Sequence, residues 1–147
     1  MNYQEIEDYF KTDEGLTALL AKCNPAFEAI SKYDRLFQNN DIRSADEIKE
    51  ALTKLAGYQM FLEPIYSEAD TQKKYYEDWH YAQQKEEAIQ NNAKFLDGGA
   101  KKTASLYVSK YRSFRNKVNG KIKSCITGIM ACQSLLKFMS EEIRLSR

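Results

Sequence analysis

The chain has 147 residues, 43% hydrophobic and 29% charged, with a formal net charge of +1. That length serves one domain, or a helical rod whose core is shared between chains. Three cysteines, Cys23, Cys125 and Cys132, are an odd number in a chain too large to need staples, and the longest apolar run, at residues 126–131, is interrupted by Thr127 and Gly128 and is far too short for a bilayer.

Free thiols fit a reduced, intracellular setting, and the polar, acidic N-terminus does not resemble a signal peptide. The expected location is the cytoplasm, that of a host cell if the chain comes from a phage. Two prolines, no glycine-rich linker and many helix formers point to an all-α fold. The net charge conceals an asymmetry: residues 1–97 hold 11 basic and 19 acidic side chains, residues 98–147 hold 11 basic and 2 acidic. Either the two parts pack on each other or the basic part has an anionic partner.

In chain order, residues 1–12 form a short helix with Tyr3, Ile6, Tyr9 and Phe10 on one side. Thr12 or Asp13 caps a segment carrying Leu16, Leu19, Leu20 and Cys23, which Gly15 weakens. Asn24-Pro25 reads as the start of a further helix, with Phe27, Ile30, Tyr33 and Phe37 as its stripe and Asn39-Asn40-Asp41 as its end. Ser44 and Glu47 have capping-box spacing. The helix they open carries Ile48, Leu52, Leu55, Gln59 and Leu62, is kinked or broken by Pro64, and turns very polar between Tyr81 and Asn92. Gly98-Gly99 reads as the turn of a long hairpin, with arms 45–97 and 101–145. Each arm would extend about 65 Å at 1.5 Å per residue if unbroken. Residues 1–43 are thus short N-terminal helices, and residues 44–147 a hairpin turning near 98–100.

The second arm carries the clearest pattern. Val108, Tyr111, Arg115, Val118, Ile122, Cys125, Ile129, Cys132, Leu136, Met139 and Ile143 are spaced alternately three and four apart, a heptad stripe. The stripe runs through Asn119-Gly120 without a change of phase, which favours one continuous helix; the alternative is a turn giving helices 101–118 and 121–145. Narrow stripes on long arms need further helices to cover them, and other copies of the chain are the natural source. Val118, Ile122, Cys125, Ile129, Cys132, Leu136, Met139 and Ile143 are therefore the expected oligomerisation residues of a helical assembly. Arg115, charged within the stripe, would fix register or mark a loose end of the seam.

From Gly98 to Ser140 there is no acidic residue. Lys101, Lys102, Lys110, Arg112, Arg115, Lys117, Lys121 and Lys123 concentrate there, and Tyr107 is the ring best placed outside the stripe. Long cationic side chains neutralise phosphates without reading sequence, and an exposed ring stacks on a base. The plainer reading gives these cations to solvent or to acids of the first arm.

The aromatic block Tyr75-Tyr76-Glu77-Asp78-Trp79-His80-Tyr81 offers no catalytic or zinc pattern; Glu77 with His80, and Asp78 with Tyr81, are spaced as helix neighbours. Cys125 and Cys132, two turns apart, are buried hydrophobes rather than a disulfide. There is no phosphate loop, dinucleotide fingerprint or nucleophile elbow. No catalytic residue, metal ligand or cofactor is expected.

The polar-faced helix ending around residues 85–95, the Gly98-Gly99 break, the lysine-rich helix with Ser105-Leu106-Tyr107-Val108-Ser109-Lys110-Tyr111 and Ile122-Lys123-Ser124-Cys125-Ile126-Thr127-Gly128-Ile129, and Ser134-Leu135-Leu136-Lys137 together resemble the recombination mediator proteins of tailed phages, the UvsY type. The resemblance covers about residues 45–145. It implies an all-helical, ring-forming protein that binds single-stranded DNA, contacts a single-strand binding protein and helps load a RecA-like recombinase. The eight cations would face the DNA. The expectation is a non-enzymatic, homo-oligomeric single-stranded DNA-binding protein. The alternative is a helical protein–protein interaction module (a phage adaptor, chaperone or inhibitor) without nucleic-acid binding. Membrane binding is disfavoured because the apolar face is committed to the seam.

Overall fold

The computed structural model describes residues 1–147 as five helices: α1 (Tyr3–Tyr9), α2 (Asp13–Gln38), α3 (Ala45–Gln90), α4 (Asp97–Tyr107) and α5 (Ser109–Leu145). α3 and α5 form an antiparallel pair. Tyr111 meets Tyr76, Arg115 meets Asp70 and Gly128 meets Leu55, a steady register along both helices that α4 continues with Tyr107 on His80. α2 lies against both and runs parallel to α5, since Asp13 reaches Lys110 while Ser31 reaches Lys121.

Local chemistry sets the helix ends. Asn2 and Glu5 close a reciprocal capping box on α1, and the Thr12 hydroxyl accepts the Gly15 N–H to start α2. Ser44 accepts the Glu47 N–H, and the Glu47 carboxylate takes the Ser44 hydroxyl rather than the backbone N–H. α2 and α3 both end in Schellman turns, closed by Asp41 N–H to Leu36 and Ala93 N–H to Ala88. Asn40 (φ 54°) and Asn92 (φ 49°) take the left-handed position that glycine usually fills.

Three expected boundaries are corrected by these facts. Asn24-Pro25 starts no helix, because α2 continues through it and buries Cys23, Ala26, Phe27 and Ile30 on either side. Gly98-Gly99 is not the turn: the chain turns at residues 91–96, and both glycines lie in the first turn of α4. The second arm is interrupted at Val108, where α4 ends, and α5 runs on through Asn119-Gly120. Pro64 lies inside α3, which is not broken there.

The heptad stripe is closed by the chain's own helices. Val118, Ile122 and Cys125 share a core with Ile6 of α1 and its C-cap Phe10, Leu19, Cys23 and Ile30 of α2, and Leu55, Leu62 and Ile65 of α3. Ile129 packs against this core in part. Cys132, with Leu136 and Met139 beside it, joins Ile48 and Ala51 in a second cluster. The cover expected from other copies is supplied by α2 and α3, and of the expected oligomerisation residues only Ile143 is largely exposed, at 58%. Gly128 permits the close approach of α5 to α3, since a Cβ there would lie 2.7 Å from Leu55 Cδ1.

All three thiols are buried, and burial pushes Cys23 and Cys125 up to about 11 and Cys132 upward. Because the thiolate is the reacting species, a disulfide reagent at pH 8 is expected to leave all three unmodified in the native protein and to titrate three thiols in denaturant. Fast modification of any of them without denaturant would contradict this packing.

Candidate functional site

The eight cations of α4 and α5 fall into three groups. Three carry a carboxylate partner: Lys101 pairs with Asp97 on its own helix at 3.0 Å, Lys110 with Asp13 of α2, and Arg115 with Asp70 of α3 at 2.8 Å. Two are held by neutral groups. Lys121 donates to the Ser31 hydroxyl, and Arg112 donates to the Ser105 carbonyl at 3.1 Å and hydroxyl at 2.6 Å. Ser105 lies in the last turn of α4, where carbonyls lose their intrahelical partners, so Arg112 braces the α4–α5 junction. Lys102, Lys117 and Lys123 are exposed and have no carboxylate within 4.0 Å.

Arg115, read from the sequence as a charge within the seam, sits at its edge. Its guanidinium reaches Asp70 and also the Asn116 side chain. The Lys110 ammonium is raised above its usual range, mainly by the hydrogen bond to Asp13. Both pairs are exposed enough for solvent to screen them, and such pairs contribute about 0–1 kcal/mol.

Tyr107 is 46% exposed and stacks on His80, with ring centroids 4.4 Å apart. Gln84 fixes this corner: its amide nitrogen lies 2.8 Å from His80 Nδ1 and 3.1 Å from the Ala100 carbonyl. The expected neighbour pairs of the aromatic block are replaced by others. Glu77 pairs with Lys73 at 2.7 Å rather than with His80, and the Tyr81 hydroxyl donates to Asp97 rather than to Asp78. Asp97 is held below the usual carboxylate range by the Tyr81 hydrogen bond first and by Lys101 second. Tyr81 and Lys101 are both raised, each chiefly through its hydrogen bond to Asp97. Apart from the exposed ring of Tyr107, this corner is not legible in the sequence, because Tyr81 and Asp97 are brought together by the turn at residues 91–96.

No group of three or more His, Cys, Asp or Glu side chains is placed to hold a metal ion, and no helix is long and apolar enough to cross a membrane. What the surface offers is charge. α3 carries ten acidic and five basic side chains, while α5 carries eight basic and two acidic. They lie side by side, yet one ion pair, Arg115–Asp70, joins them. Comparison of the chain with protein-family models, with curated proteins and with solved structures gives no match.

Proposed function

We propose that this chain is a non-enzymatic helical scaffold that binds single-stranded DNA, chiefly through phosphates, along α4 and α5. The observation that carries the reading is the unspent charge. Lys102, Lys117 and Lys123 remain without carboxylate partners although an acidic helix lies alongside. The contacts that Lys110 and Lys121 make with α2 are surface contacts that a polyanion can displace. Tyr107 adds a ring with one face on His80 and nearly half its surface open, a platform for a base. Presenting the strand to a recombinase and contacting a single-strand binding protein are the part of the proposal that rests on the resemblance to phage recombination mediators.

Self-association belongs to the same proposal, with its residues revised. A second copy would dock on apolar side chains still exposed at the end of α5, namely Phe138, Ile143 and Leu145. The same side chains favour the second reading, a protein–protein interaction module. Fluorescence anisotropy with a labelled oligo-dT separates the two. Binding is expected at low salt, with log K falling linearly in log salt by about 0.7 per phosphate neutralised. Absence of binding at low salt, or binding insensitive to salt, contradicts the DNA reading. Light scattering of the same samples reads the copy number with and without DNA.

A further inference from the structure

On the side of the molecule formed by α2 and α3 there is a groove of about 440 Å3, lined by Lys22, Pro25, Lys54, Gly57, Tyr58 and Phe61 among others. Gly57 lies inside the 46-residue α3, and a Cβ built on it meets nothing within 4 Å. A glycine inside a helix costs about 1 kcal/mol relative to alanine. At Gly15 and Gly128 a close neighbour accounts for the residue; at Gly57, as at Gly120 inside α5, nothing in the chain does, but of the two it is Gly57 that lines the groove. The space beside it is open to solvent.

The walls of this space have one character and its rims another. Pro25 contributes a ring and no N–H, and Tyr58 and Phe61 contribute aromatic surface, Phe61 being 36% exposed. Lys22 on α2 and Lys54 on α3 are exposed, and neither has a carboxylate within 4.0 Å. The Lys22 ammonium lies 6.0 Å from the centre of the Tyr9 ring. An apolar trough between two ammonium groups that lack carboxylate partners is complementary to an apolar side chain flanked by carboxylates. A nucleic-acid track needs a run of cations along its length, and this groove has one on each rim. We infer that it docks an acidic peptide segment of a partner protein. An aromatic or aliphatic anchor sits over Gly57, and flanking carboxylates pair with Lys22 and Lys54.

This inference stands on α2 and α3 and does not depend on DNA binding by α4 and α5. Its test is selection of 12-residue peptides from a random display library on the full chain, followed by fluorescence polarisation of the enriched peptides. Acidic peptides with one large apolar residue are expected. Gly57→Leu, which fills the groove, and the double change Lys22→Glu with Lys54→Glu should each weaken their binding about tenfold or more, as loss of a docking hot spot does. Gly57→Leu should melt no lower than the unsubstituted chain by circular dichroism, so that lost binding is not lost folding. Enrichment of no acidic peptides, or equal binding by Gly57→Leu, overturns the inference. So does a Gly57→Leu protein that loses oligo-dT affinity, which would make the groove a nucleic-acid site, or one that changes its mass in light scattering, which would make it a contact between copies.

Discussion

Phe10→Ala is expected to lower the free energy of unfolding by about 3–5 kcal/mol, the usual cost of truncating a fully buried phenylalanine. Phe10 is 0% exposed although it stands only at the C-cap of a seven-residue helix. Its ring meets Phe114 edge-on at 5.6 Å between centroids and lies 6.3 Å from Tyr111. With Ile6 it is the means by which α1 is bound to the α3–α5 pair, since both lie in the main core cluster. A helix of seven residues does not hold itself together in water, so loss of this anchor also weakens the docking of the rest of α1. The Tyr111 hydroxyl donates to the Phe10 backbone carbonyl at 3.4 Å, and the substitution spares that contact. Urea denaturation followed by circular dichroism measures the effect, with Tyr3→Ala as a control. Tyr3 is 64% exposed, and a change there should stay within about 0.5 kcal/mol. A loss below about 1 kcal/mol for Phe10→Ala would mean that α1 is not docked as described.

The sequence made the helical class, most of the helices and the buried stripe of α5 readable, because these depend on local pattern. Ser44 is identifiable as a cap from side-chain chemistry alone, and the structure decides between Thr12 and Asp13 in favour of Thr12. The unbroken phase from Val118 to Ile122 correctly outweighed the turn signal of Asn119-Gly120. Pro25 misled for the opposite reason. Its local cost is real, about 3 kcal/mol, but Cys23, Ala26, Phe27 and Ile30 bury on one face of a single helix, and side chains the size of Phe27 and Ile30 contribute about 1.5–3 kcal/mol each. Glycine is the commoner left-handed residue, so Gly98-Gly99 carries the stronger turn signal in the sequence, whereas Asn92 takes that role in the fold.

One glycine illustrates what pattern does not reveal. By propensity alone Gly15 weakens its helix. At Gly15 a Cβ would lie 2.4 Å from the Tyr9 carbonyl oxygen, so the residue is needed for the tight turn from α1 into α2. Similarly, periodicity states that the stripe of α5 is covered and is silent about which helix covers it. The candidate site divides along the same line. The positions of the cations were legible, but their partners were not: Asp13 and Lys110 are 97 residues apart in sequence, and only the tertiary arrangement separates Lys110 from the unpaired Lys117.

That separation gives the proposed function its sharpest consequence. Alanine at Lys102, Lys117 and Lys123 together removes the three cations that lack partners, in a change neutral or favourable to helix propensity. If each neutralises one phosphate, the log–log salt slope for oligo-dT should become shallower by about 2, and affinity near 0.1 M salt should fall roughly a hundredfold, with the thermal melt unchanged. The paired comparison, Lys101→Ala with Arg115→Ala, should change the slope less, because those cations already have carboxylates. The decisive measurement is therefore the salt slope of the triple variant by fluorescence anisotropy. A slope reduced by about two units is the predicted result, and a slope equal to that of the unsubstituted chain would contradict the assignment of these lysines to a polyanion.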